Sequence, residues 1–96
     1  MSKLRLISDE RYQVKPLVEA ALEHELGLLE VGIRQTEHRL RTFEEKYQKP
    51  TSDFIAEYEQ DQFEETLECI EWIGEHRLLA RLHEKTEALR SIHFAN

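Results

Sequence analysis

From Leu22 to Tyr47 the apolar positions follow a helical rhythm: Leu22, Leu26, Leu29, Ile33, Thr36, Leu40, Phe43 and Tyr47. The steps alternate between four and three residues, which is a heptad with one polar member, Thr36. Pro16 suits the first turn of a helix, where its missing N–H costs nothing. Lys49-Pro50 ends the pattern, because the residue before a proline is pushed out of helical geometry. One helix is therefore predicted from Pro16 to Tyr47, roughly 48 Å long at 1.5 Å per residue.

Thr51 or Ser52 is expected to cap a short helical turn running through Phe54 and Tyr58. A second long helix is predicted from Gln62 to Ile92. Its seam reads Leu67, Glu71, Gly74, Leu78, Leu82, Lys85, Leu89 and Ile92, with Phe63 and Ile70 alongside. The 4-4 step through Gly74, Leu78 and Leu82 is a stutter that locally unwinds a supercoil. Two helices of nearly equal length suit an antiparallel hairpin. The expected core comprises Leu22, Leu26, Leu29, Ile33, Leu40, Phe43, Leu67, Ile70, Leu78, Leu82 and Leu89. Residues 1–15 stand apart from the hairpin of 16–96. Leu4, Leu6, Tyr12 and Val14 alternate with polar neighbours on either side of Ser8-Asp9-Glu10, which fits a short strand pair or an extended arm, with a frayed terminus as the equal alternative.

Charge order supports the hairpin. Residues 16–33 carry four acids and no base, and residues 34–49 carry five bases and three acids. Residues 51–75 carry nine acids and no base, and residues 76–96 carry four bases and two acids. Each long helix is thus acidic at its start and basic toward its end, which suits the helix macrodipole. Antiparallel pairing sets unlike halves side by side, whereas parallel pairing sets like beside like.

Composition narrows the function. The 96 residues fit one domain, and the 40% hydrophobic and 34% charged content is too patterned for a disordered chain. No apolar run approaches the length needed to span a bilayer. Met1-Ser2-Lys3-Leu4-Arg5 lacks the apolar core of a secretory signal, so a cytoplasmic location is expected. A net charge of −7 disfavours nucleic acid, whose binding needs Lys and Arg on phosphates, and favours a basic protein partner.

Catalytic and metal chemistry find no foothold. A carboxylate-bridged metal bundle needs Glu-x-x-His, and the positions three before His24, His38, His76, His83 and His93 hold no Glu. His-Glu-x-x-His is absent as well. Cys69 is the only cysteine and lies among Glu65, Glu68 and Glu71, whose charge disfavours a reactive thiolate. Neither an enzyme nor a cofactor is expected. Gly27, Gly32 and Gly74 fall inside helical patterns, which points to close approach of a neighbouring helix or to simple tolerance.

Trp72 and Leu79 lie about 120–140° around the helix from Leu67, so the predicted seam does not bury both. With Leu17, Ala21 and Leu28 on the first helix, they suggest a homodimer forming a four-helix bundle, or a docking face for another protein. The candidate partner-binding set is Trp72, Leu79 and Phe63 as apolar anchors with Glu57, Glu59, Glu64 and Glu65. A solvated acidic face is the plainer alternative.

Phe43-Glu44-Glu45-Lys46-Tyr47, Thr51-Ser52-Asp53-Phe54 with Tyr58-Glu59, and Glu71-Trp72-Ile73-Gly74-Glu75 together form a pattern that resembles a group of small helical proteins from archaea and cyanobacteria. Some of these look like the antitoxin half of TumA–TumE type toxin–antitoxin pairs. The likeness covers roughly residues 17–92. Where such proteins place glycine after the tyrosine, this chain has Gln48. The resemblance implies a non-enzymatic antitoxin-like module that neutralises a small basic toxin. The alternative is a structural homo-oligomer or adaptor with no toxin partner.

Overall fold

The structure is a computed structural model that describes residues 2–4, 14–62 and 64–94. The elements run β1 (Ser2–Leu4), α1 (Val14–Tyr47), α2 (Thr51–Glu59), α3 (Leu67–Arg90) and β2 (Ile92–Phe94). The architecture is all-α, an antiparallel hairpin of α1 and α3, with α2 folded into its closed end. The molecule measures 61 × 22 × 18 Å. Among the described residues no helix is long and apolar enough to cross a membrane.

Three ion pairs link the long helices: Glu30 with Arg90, Arg39 with Glu75, and Lys46 with Glu68. They join the acidic start of each helix to the basic end of the other, as the charge order predicts. Two of them, Lys46 with Glu68 and Glu30 with Arg90, are exposed and contribute little to stability, while Glu75 is half-buried. They mark the register, while burial at the closed end provides the main driving force.

Local chemistry explains the element ends. Pro16 falls in the first turn of α1. At the end of α1, Gln48 takes a left-handed φ of 53°, and Lys49 N donates to Glu44 O. At the end of α2, Asp61 has φ 54°, Gln62 N donates to Glu57 O and Asp61 N donates to Tyr58 O. This 6→1 closure with a left-handed residue is the Schellman stop, a place that favours glycine. Here Gln and Asp occupy it.

The predicted cap of α2 and both ends of the second long helix need correction. Neither Thr51 nor Ser52 caps α2. The N-cap is Pro50, and Thr51 N–H bonds instead to Glu44 Oε2 at 2.7 Å. The second long helix begins at Leu67, five residues later than predicted. The Schellman stop after α2 occupies Asp61 and Gln62, and Thr66 is the cap, its Oγ1 accepting from Cys69 N at 3.2 Å. This helix also ends at Arg90, before Ile92.

The predicted seam of α1 holds. Leu29, Thr36 and Leu40 are buried, and Leu22, Leu26, Ile33 and Phe43 are half-buried. The predicted seam of α3 is rotated from the real one. Leu67 and Ile70 are 71% and 52% exposed, and Glu71, Gly74 and Lys85 are exposed too. Cys69, Trp72, Ile73 and Thr86 are buried in their place, while Leu78, Leu82 and Leu89 are half-buried. Thr86 fits into the seam by donating its hydroxyl to Leu82 O at 2.9 Å.

The glycines turn out not to require close approach. A Cβ on Gly27 or Gly74 meets nothing within 4 Å, and one on Gly32 meets Leu82 at an ordinary 3.6 Å. In the N-terminal stretch, Ser2–Leu4 is a strand, but its pairing lies outside residues 1–15. It runs parallel to β2, with Ser2 opposite Ile92 and Leu4 opposite Phe94. Leu6 and Tyr12 of the predicted alternation lie outside the described residues.

Candidate functional site

The closed end of the hairpin gathers most of the aromatic chemistry. Trp72 is only 1% exposed. Phe54 of α2 stacks on it with ring centroids 4.0 Å apart and planes 5° apart. Phe43 and Tyr47 of α1 approach it at 5.6 and 5.5 Å. The indole Nε1–H donates to Thr51 Oγ1 at 2.9 Å, so its one polar atom is satisfied inside the core. Leu40, Cys69 and Ile73 complete the buried cluster, and Ile55, Tyr58 and Leu79 pack against it.

This overturns Trp72 as a partner anchor. Burial in a two-helix hairpin is limited by each helix having one neighbour, but α2 supplies a second neighbour for α3. Leu79 is likewise half-buried against the core. Cys69 is a buried core member. Phe63, the third apolar candidate, lies outside the described residues.

The carboxylates divide into two groups. Glu57 is half-buried and pairs with Lys49 Nζ at 2.7 Å. Glu68 pairs with Lys46, and Glu75 Oε2 lies 2.9 Å from Arg39 Nε. That last contact is a charge pairing, not an aligned hydrogen bond. Arg39 also donates through Nη2 to the buried Thr36 Oγ1 at 3.2 Å. Three of the nine acids of 51–75 are therefore compensated by bases of α1 and the turn after it. Glu59, Asp61, Glu64 and Glu65 are exposed, and among the described residues none of the four has an ion pair.

The ion pair of Lys46 and Glu68 perturbs both its members. Its hydrogen bond to Glu68 raises the Lys46 pKa above the ordinary amine value, and the same bond lowers that of Glu68. Burial, with the Glu68 charge behind it, raises the Tyr47 phenol.

Between the aromatic cluster and the acidic connection lies a cleft of about 320 Å³. Tyr47, Phe54 and Trp72 give it an apolar floor. Lys49, Glu57, Gln62 and Glu64 form its polar rim. Sequence periodicity misses this feature because its walls come from three helices. The one local signal is Thr51 directly after Pro50, a polar residue that the fold buries. Among the described residues no three His, Cys, Asp or Glu side chains come together as a metal group. The chain matches no protein-family model, no curated protein and no solved structure.

Proposed function

We propose that the chain is a non-enzymatic protein-interaction module, the antitoxin-like partner of a small basic toxin, acting in the cytoplasm. The observation that carries this reading is the set Glu59, Asp61, Glu64 and Glu65. These four exposed carboxylates fall within seven consecutive positions and meet no base among the described residues. Local hydrogen bonds shape the segment that bears them. The Schellman stop at Asp61 and Gln62 holds one end, and the Thr66 cap, with Thr66 N donating to Glu64 O at 2.9 Å, holds the other. A segment held at both ends loses less entropy on binding than a free one.

The neighbouring cleft takes over the anchoring role that Trp72 does not fill. Its aromatic floor accommodates one apolar or long cationic side chain of a partner, with Glu64 at the rim. Glu57 already neutralises Lys49 and contributes less than its exposed neighbours.

The test is kinetic. The chain is co-expressed with the product of an adjacent reading frame encoding a small basic protein, and the complex is purified. Association is then measured at low and high salt for the native chain and for the triple variant Glu59→Gln, Glu64→Gln, Glu65→Gln. Charge complementarity acts on the association rate and is screened by salt. The variant should associate about tenfold more slowly at low salt and show a flatter salt dependence. Equal rates for the two proteins sink the proposal. Failure to form any complex favours the alternative, an assembly protein without a toxin partner.

A further inference from the structure

The cleft at the closed end is small, about 320 Å³, near the lower bound of roughly 300 Å³ for ligand pockets. It holds one side chain rather than a segment of chain. Its floor and its rim differ in chemistry. On the floor, Trp72 and Phe54 are only 1% and 3% exposed. The indole stacks on Phe54 at 4.0 Å and has Phe43 and Tyr47 at 5.6 and 5.5 Å. These rings are packed on one another, so they serve the cleft as an apolar wall and not as open faces for a cation.

The rim carries Glu57, Glu64 and Gln62 with one base, Lys49. Lys49 has its amine on Glu57 at 2.7 Å. The chain thus already seats one cationic side chain at this rim, and that pair accounts for one carboxylate. Glu64 is exposed and has no ion pair among the described residues. Glu59, Asp61 and Glu65 flank it in sequence and add to the same negative field. The rim is one positive charge short.

An occupant has to satisfy floor and rim together. A purely apolar side chain covers the floor but takes water from Glu64 without replacing its hydrogen bonds. A bare cation matches the rim and gains nothing from the floor. Lysine and arginine carry an apolar stem with a charged head, which is the combination the cleft presents. Guanidinium suits it better than ammonium, because it is less strongly hydrated and sheds water more readily beside an apolar wall. Its five N–H donors also find acceptors in the Glu64 carboxylate and the side-chain carbonyl of Gln62.

We infer that this cleft receives an arginine side chain of the basic partner, its stem on the apolar floor and its guanidinium on Glu64. The inference rests on the reading of the chain as a binder of a basic protein, and it names the side chain which that protein inserts.

Titration of the full ¹⁵N-labelled chain with Nα-acetyl-arginine amide, followed by NMR, tests it. Nα-acetyl-lysine amide and Nα-acetyl-norleucine amide are run in parallel. Trp72 is the only tryptophan, so its indole N–H gives one signal that reports on the cleft. The arginine probe should shift this signal and the amides of Gln62 and Glu64. Saturation is expected with a dissociation constant of the order of millimolar, as befits a single side chain. The lysine probe should bind more weakly, and the norleucine probe should not saturate. Glu64→Gln alters an exposed side chain and should weaken the arginine probe about fivefold. Glu59→Gln removes the same charge from outside the cleft lining and should change the affinity less than twofold. In steering by the acidic connection Glu59 and Glu64 count alike, and the probes contain no partner protein, so the two readings fail separately. A silent titration strikes the arginine seat and leaves the association rates of the proposed complex to be judged on their own. The seat is also overturned if lysine or norleucine binds as tightly as arginine, or if Glu59→Gln and Glu64→Gln weaken the arginine probe equally.

Discussion

Trp72 Nε1–H on α3 donates to Thr51 Oγ1 on α2 across 2.9 Å, and both residues are buried. This bond ties the short helix to the hairpin at the point where Phe54 stacks on the indole ring. The aromatic contact supplies area, and the hydrogen bond supplies position.

Thr51→Val keeps the volume at this position but removes the acceptor. A buried indole N–H without a partner costs about 1–3 kcal/mol. Chemical denaturation should show a loss in that range, whereas Thr51→Ser should lose less. Trp72→Phe removes the donor instead, and combining it with Thr51→Val should cost less than the two single losses together. Additive losses would mean that the bond contributes nothing. Trp72→Ala should cost about 3–5 kcal/mol of folding stability, as a core truncation rather than a surface change.

How much of this arrangement was legible follows from which contacts are local. Leu29, Thr36 and Leu40 lie in one 4-3 series on α1, and that series is the buried seam. Pairing acidic with basic halves picks out the antiparallel hairpin, and Arg39 with Glu75 and Lys46 with Glu68 bear it out. The seam of α3 was not legible, because Leu67 and Ile70 look apolar enough to be core. What moves Trp72 inward is α2, whose Thr51 and Phe54 reach it only after the chain has turned twice. The acidic connection could be read as a charge run. That Glu57, Glu68 and Glu75 are partnered, while Glu59, Glu64 and Glu65 have no ion pair among the described residues, depends on the tertiary register.

Gln48 holds a left-handed φ of 53° at the end of α1. A side chain there costs about 1–2 kcal/mol, and glycine removes that strain at some cost in unfolded-state entropy. Gln48 also donates from Nε2 to Glu45 O, an exposed bond of small net value. Gln48→Gly should therefore raise stability by about 0.5–1 kcal/mol. Thermal melting of the two proteins decides it, and an unchanged or lower midpoint counts against the reading.

Gly32 lies in the middle of α1, where glycine costs about 1 kcal/mol against alanine. An added methyl would meet Leu82 Cδ1 at 3.6 Å, an ordinary contact. Gly32→Ala should stabilise the hairpin by up to about 1 kcal/mol in urea titration. A destabilised variant would mean that the helices approach more closely here than this packing allows.

The ion pair of Lys46 and Glu68 predicts how stability responds to pH at both extremes. Its hydrogen bond lowers Glu68, so this group favours folding above the ordinary carboxylate pKa of about 4.3 and loses that contribution as pH falls through its depressed value. Lys46 is raised, so its contribution is full below the ordinary amine pKa of about 10.4 and disappears as pH rises through its raised value. Both contributions are present at neutral pH and fade at opposite ends of the scale. The two side chains are exposed, so solvent and salt screen the effect and keep it small. Glu68→Gln removes the carboxylate at every pH. The difference in melting temperature between the native chain and this variant should be largest near neutrality and shrink toward pH 3. It should also shrink at pH 7 when salt is raised to 1 M. A difference independent of both pH and salt would show that the charge of Glu68 does not contribute to stability.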